Sequence, residues 1–282
     1  MKKILISTDF SETATNAIKY ALELFKYDKS EITIVHAFAD EVYENTIEMS
    51  REYLEEYKDK VQQNVDIRLQ KVVAEMLELS PNPRHVYNRQ SRFGSIIDVI
   101  NDFVDSENVD VIVMGTKGNT NNAKVTFGSN TIKVIKYVQC PVLAVPATYH
   151  DMHPKKVLFP TDYMIPFKRR ELKLVSSISK NYVSTINMLY VSKAKHLSHR
   201  QQDNQGFLNS CFSDNKFLFT QVPEENVTDA INKTIKEQDI DLLVMVNERH
   251  TYLEDILYNS TIDKIGLEIK IPFLVLQNLR RE

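Results

Sequence analysis

Apolar positions along this chain come in short runs separated by longer stretches in which they recur at helical spacing. The runs at 3–8, 32–38, 84–89, 109–114 and 141–145 are β-branched, aromatic or wholly apolar and bounded by turn residues, so they predict five strands. After the polar turn Asp9-Phe-Ser-Glu-Thr13, the positions Ala14, Ile18, Ala21, Leu22 and Phe25 mark a helix. A long polar helix is predicted over 45–79, stopped by Pro81 and Pro83, and two further helices over 94–103 and 128–137. Strands that alternate with helices imply parallel β-α-β units.

The pattern then begins again. Lys3-Ile-Leu-Ile-Ser-Thr-Asp9 and Lys156-Val-Leu-Phe-Pro-Thr-Asp162 are related by a shift of 153 residues. Val109-Asp-Val-Ile-Val-Met114 and Ile240-Asp-Leu-Leu-Val-Met245 are related by a shift of 131, which also carries Pro141 onto Pro272. The 22-residue difference falls in the middle, where the second half lacks most of the long helix. A tandem duplication follows, with one domain at 1–146, a linker at 147–154 and a second domain at 155–282.

Composition narrows the function classes. With 43% hydrophobic and 26% charged residues the chain is an ordinary globular protein, and its net charge of −3 supplies no positive field for nucleic acid. No apolar run reaches the roughly 18 residues of a membrane span, and Met1-Lys2-Lys3 leads into no leader-like segment, so neither membrane insertion nor secretion is expected. Cys140 and Cys211 lie far apart, which excludes a disulfide framework or a four-cysteine zinc site and fits a reducing, cytoplasmic compartment. Only six residues are glycine, yet Gly115, Gly118 and Gly128 fall close together.

That cluster is the candidate chemistry. Gly115-Thr-Lys-Gly118 follows the fourth predicted strand, and Gly128-Ser129-Asn130 opens the helix carrying Ile132, Val134, Ile135 and Val138. Ligands of open parallel sheets sit beyond the carboxyl ends of strands where the strand order reverses. Glycines there admit close backbone approach and positive φ, and a helix N-terminus attracts an anion. Loops also contain glycine, and helices start with serine for capping alone, so the spacing leaves both readings open. It is neither a P-loop nor a Gly-x-Gly-x-x-Gly dinucleotide turn.

Taken with Thr8-Asp9-Phe10-Ser11-Glu12-Thr13-Ala14 and Cys140-Pro141-Val142-Leu143, the spacing Gly115-x2-Gly118-x9-Gly128-Ser129 resembles the ATP-binding signature of the universal stress proteins, in two tandem copies. The resemblance implies two doubly wound five-stranded parallel-sheet α/β domains, Rossmann-like and related to the adenine nucleotide alpha hydrolases. It further implies that they pack as an intrachain pseudo-dimer through their fifth strands, pairing of whole chains into a homodimer staying open. It also implies ATP as ligand, with AMP or ADP as alternatives and magnesium accompanying the nucleotide. Asp9 would contact the adenosine end, Ala37 would line the adenine pocket, and Met114 and Gly115 would contact the nucleoside. Gly118, Gly128, Ser129 and Asn130 would hold phosphates. Lys117, Asn119 and Asn130 depart from the residues common in the family. In the second copy Val246, Arg249 and Asn259 replace the three glycines and only Ser260 is kept, which implies a degenerate site.

The function expected is a nucleotide-responsive stress regulator. The alternatives are a slow ATP-hydrolysing enzyme and a nucleotide-free scaffold, the former disfavoured by the lack of a general base at the glycine loop. His150, His153, His196 and His199 are expected to be solvated, Cys140 structural, and His36 packed or hydrogen-bonded, with a place close to the nucleotide as its alternative. Tyr43, Tyr53 and Tyr57 are expected on the core-facing side of the long helix.

Overall fold

The apolar runs assemble into one ten-stranded sheet in the computed structural model, which describes residues 1–46, 50–117, 127–164, 167–247, 253 and 269–278. The first half supplies β1 (Lys2–Ser7), β2 (Ser30–Ala37), β3 (His85–Arg92), β4 (Val111–Gly115) and β5 (Val142–Val145). The second supplies β6 (Lys156–Pro160), β7 (Thr185–Val191), β8 (Lys216–Val222), β9 (Leu242–Asn247) and β10 (Phe273–Gln277). Their order is β3-β2-β1-β4-β5-β10-β9-β6-β7-β8, and every pairing is parallel except β5 with β10. Within each half the order reverses beside the first strand, as a doubly wound fold requires.

The helices are α1 (Glu12–Leu24), α2 (Ala39–Thr46), α3 (Arg51–Leu79), α4 (Ile96–Glu107), α5 (Ser129–Tyr137), α6 (Arg169–Tyr182), α7 (His199–Cys211) and α8 (Val227–Gln238). Strand side chains alternate between two apolar layers. Ile4, Ile6, Leu143 and Leu274 pack with α1, α3, α6 and α7, while Leu5, Val142, Ala144 and Phe273 pack with α4, α5 and α8. Both faces are covered over the central strands, which is why these read as nearly unbroken apolar runs, while the outer strands β3 and β8 carry polar and exposed residues.

The duplication survives in backbone detail. Phe10 and Tyr163, equivalent by the shift of 153, both adopt positive φ (62° and 58°). Asn108 and Asp239, equivalent by the shift of 131, both end a helix in the left-handed region. Asp110 and Asp241 each accept the amide of a lysine at the start of the first strand of their half, Lys3 and Lys156, at 2.8 Å.

Across the junction Leu143 faces Leu274, Val142 faces Val275 and Ala144 faces Phe273. Leu143 and Leu274 are themselves equivalent by the shift of 131, so this pair sits on a local two-fold axis, and the halves form the expected pseudo-dimer. The segment joining the halves is docked: Asn16 Nδ2 donates to the carbonyls of Pro146 (2.8 Å) and Tyr149 (3.0 Å), and Ser184 Oγ donates to that of Pro154 (2.5 Å).

Two expectations need correction. The long helix is α3 and starts later than position 45, at Arg51 behind Ser50, whose hydroxyl accepts the Tyr53 amide, after the separate helix α2 has ended at Thr46. Tyr43 and Tyr53 lie outward, 52% and 43% exposed, and only Tyr57 packs partly on the core. The buried stripe is Val61, Val65, Leu69 and Met76, whose side chains carry no hydroxyl to desolvate. The counterpart of α3 in the second half, α7, has 13 residues against 29, in keeping with the shortened middle.

Candidate functional site

β1, β2 and β4 end together at the point where the strand order reverses, and their carboxyl ends open into a crevice of about 120 Å³. Its walls come from the turn after β1 (Thr8, Asp9), the end of β2 (His36, Ala37), the end of β4 (Met114, Gly115, Lys117) and the start of α5 (Gly128, Ser129, Asn130). Seven of the eight residues expected at the site therefore converge: Asp9, Ala37, Met114, Gly115, Gly128, Ser129 and Asn130. Gly118, the eighth, lies outside the described residues, as do Asn119 and, in the second half, Arg249, Asn259 and Ser260.

The turn after β1 is held tightly. The Phe10 amide donates to Thr8 Oγ1 (3.0 Å), and Asp9 Oδ1 accepts both the Ser11 amide (3.0 Å) and the Ser11 hydroxyl (2.6 Å). A phenylalanine at φ 62° is strained and persists only where its surroundings fix it. Here the Arg68 guanidinium stacks 3.8 Å over the Phe10 ring, whose other neighbour is the His36 ring at 4.8 Å. His36 Nδ1 lies 2.6 Å from the Thr8 carbonyl, and burial pushes the imidazole pKa down, overriding the pull of that carbonyl. A carbonyl only accepts, so the neutral ring donates from Nδ1 and its Nε2 carries the lone pair.

Gly115 is dictated by packing. A Cβ there would stand 2.7 Å from Thr13 Cγ2 and 3.2 Å from the Thr13 carbonyl carbon, because α1 crosses directly over the end of β4. Neither Gly115 nor Gly128 uses positive φ; Gly128 sits at φ −69° as the N-cap of α5. At Gly115 the expectation of a left-handed glycine is thus replaced by a need for space. Two contacts fix α5 to the strand end: the Gly128 amide donates to the Thr116 carbonyl (2.7 Å), and Thr131 Oγ1 to that of Gly115 (2.9 Å).

The start of α5 also differs in chemistry from the other helices. Helices α1, α3, α4, α7 and α8 are capped by Ser11, Ser50, Ser95, Ser198 and Asn226, and α2 and α6 carry acids in their first turns. Among the described residues only α5 begins with neither a capping side chain nor an acid. Its first amides have no partner inside the helix and face the crevice with the positive end of the helix dipole.

The profile of the universal stress protein family matches residues 1–146. The chain belongs to the universal stress protein family. Two curated members from Methanocaldococcus jannaschii resemble about half of it. Universal stress protein MJ0531 is 29% identical over 153 residues, 51% of this chain and 81% of the relative. Universal stress protein MJ0577 is 28% identical over 156 residues, 51% and 94% respectively. Both halves are matched in fold by a universal stress protein from Archaeoglobus fulgidus, with a TM-score of 0.67 at 18% identity over 98% of this chain and 96% of that one.

This universal stress protein lines its crevice with more than the motif predicted. Ser7, Ala14, Asp40, Ile96 and Thr131 also face it, and His36 proves both hydrogen-bonded and crevice-lining. Position relative to strand ends was the available signal, since Ser7 closes β1, Asp40 follows β2 closely and Ile96 opens the helix after β3. Cys140 is buried with its thiol 3.4 Å from the Val109 carbonyl, as a structural cysteine. Among the described residues no group of three or more His, Cys, Asp and Glu side chains could hold a metal, and His153, half exposed, pairs with Glu23 at 3.1 Å.

Proposed function

We propose that this chain is a nucleotide-responsive regulatory protein of the stress response, working in the cytoplasm and holding one ATP with its magnesium in the first-half crevice. The observation that carries this reading is the bare start of α5, uncapped and free of acids, aimed into a crevice at the switch point of the sheet. Such a start suits a polyphosphate: Ser129 and Asn130 would bond phosphate oxygens through amides and side chains, and Lys117 and Gly118 would approach from the β4 loop. Asp9, Ala37 and Met114 would take the nucleoside, with Gly115 at their centre. Magnesium would arrive on the phosphates. AMP and ADP would share the nucleoside end.

We assign the site to the unit spanning 1–146 and read the unit at 155–282 as a packing partner that has lost it. Val246 stands where Gly115 does, and Leu253, from the stretch equivalent to the glycine loop, is fully buried in the apolar layer with Val191 and Met245. An aliphatic plug there leaves little for a phosphate. Calorimetric titration with magnesium ATP is expected to give a stoichiometry near one per chain, and Gly128→Val to abolish binding in a folded protein. A stoichiometry near two, or unchanged affinity in folded Gly128→Val, overturns the assignment.

A further inference from the structure

The short helix α5 is gripped at both ends by the other half of the molecule. It has nine residues, too few to be stable alone, so its position is set by what it touches. At its start Phe127, fully buried and next to Gly128, packs on Phe273 of β10 with ring centroids 5.6 Å apart. At its end the Ile135 carbonyl accepts two side-chain amides, from Asn247 Nδ2 (2.9 Å) and Gln277 Nε2 (2.8 Å), at the ends of β9 and β10. Asn247 Nδ2 also donates to Gln277 Oε1 (2.9 Å), and both side chains are buried. The antiparallel junction explains the meeting: β9 and β10 point opposite to β4, so their carboxyl ends arrive where α5 finishes.

The arrangement runs one way. By the shift of 131 the counterparts of Asn247 and Gln277 are Thr116 and Pro146, and neither side chain carries an amide. The half that exchanged its loop glycines for larger residues is thus the half that supplies the amide pair.

We infer that Asn247, Gln277 and Phe273 are positioning residues for the nucleotide site of the opposite half: they hold α5 so that its uncapped start stays aimed at the phosphates. This rests on the nucleotide reading proposed above. The last-turn carbonyls of a helix have no internal partners, and amide donors there stabilise the negative end of its dipole. Losing them leaves a buried carbonyl unpaired and lets the helix shift, which moves the phosphate end of the site and leaves the turn after β1 in place.

The test uses the full chain with Gln277→Met and with Asn247→Leu, near-isosteres without donors. Affinity for magnesium ATP is expected to fall about three- to tenfold, the weight of one hydrogen bond, while affinity for adenosine stays within about twofold. Amide exchange is expected to quicken at α5 and not at β1 or β2. A structural effect alone would weaken adenosine and ATP equally, and that result, or unchanged exchange at α5 in both variants, overturns the inference. Should either variant fail to fold, Phe273→Leu keeps an apolar filler and is read by the same two measurements. If the unaltered chain binds neither ligand, the nucleotide reading falls, and the exchange comparison still decides whether the second half holds α5.

Discussion

Two residues show how a local identity answers to distant neighbours. Gly115 was legible as part of a glycine spacing, yet the atom that demands it, Thr13 Cγ2 at 2.7 Å, belongs to a different element. Gly115→Ala is expected to cost about 1–3 kcal/mol by overpacking. Thr13→Ser in the same chain should recover part of that, because it removes the nearest methyl; chemical denaturation of the single and double variants measures both. An equal cost in the two would mean that the neighbouring backbone, 3.2 Å away, sets the limit. His36 meets both readings that its position after the second strand allowed, since its ring is hydrogen-bonded to the Thr8 carbonyl and also lines the crevice. Burial lowers its folded pKa below the ordinary 6.5, so the unfolded chain binds the proton more readily. Its contribution to stability is therefore complete above about pH 6.5 and is lost as pH falls from there through the folded pKa. His36→Asn, which retains an amide donor for the Thr8 carbonyl, should flatten that part of the stability profile, and an unchanged slope would assign it to other groups.

At the scale of elements, sequence patterning located the five strands and four of the helices of the first half, because most of those strands are buried apolar runs, whereas in the second half it found only the segments of β6, β9 and β10 that repeat the first. It set the start of the long helix too early, at 45 where α3 begins at Arg51. Nothing in the apolar spacing around 45–51 separates α2 from α3, and the serine that starts α3 resembles any other polar residue until its hydroxyl is seen accepting an amide. The glycine motif likewise announced a loop and a helix start but not the missing cap, which becomes visible only against the capped helices beside it. That comparison makes a prediction with two opposed signs. Gly128→Asp places a capping carboxylate at a residue whose φ of −69° and ψ of 158° suit any side chain. The unliganded protein should gain a few tenths of a kcal/mol from the cap. ATP affinity should fall at least about tenfold, because the carboxylate takes the amides and repels the phosphates. Thermal melts with and without nucleotide read both effects, and a variant that binds ATP as well as the original would remove the start of α5 from the site.

At the scale of the whole molecule, the repeat was readable as two aligned segments, whereas the consequence of joining them lies in the packing. The two apolar layers run without a break from the first half into the second: Leu143 and Leu274 belong to one, Ala144 and Phe273 to the other. Strands β5 and β10 would each be an unprotected edge in isolation, and pairing them removes both edges at once. The halves should therefore unfold as one cooperative unit, although each is a copy of a complete domain. Leu274 tests this most directly, because it is 1% exposed, faces Leu143 on the local two-fold axis, and carries no part of the proposed nucleotide site. Leu274→Ala should cost about 2–5 kcal/mol. If the layers are continuous, the loss reaches the first half: amides of Ile112 and Val113 in β4, which touch nothing of residue 274 along their own strand, should exchange faster by the same free energy as those of Leu243 and Val244 in β9. Faster exchange confined to β9 and β10, with β4 as protected as before, would show two independently stable halves that merely abut.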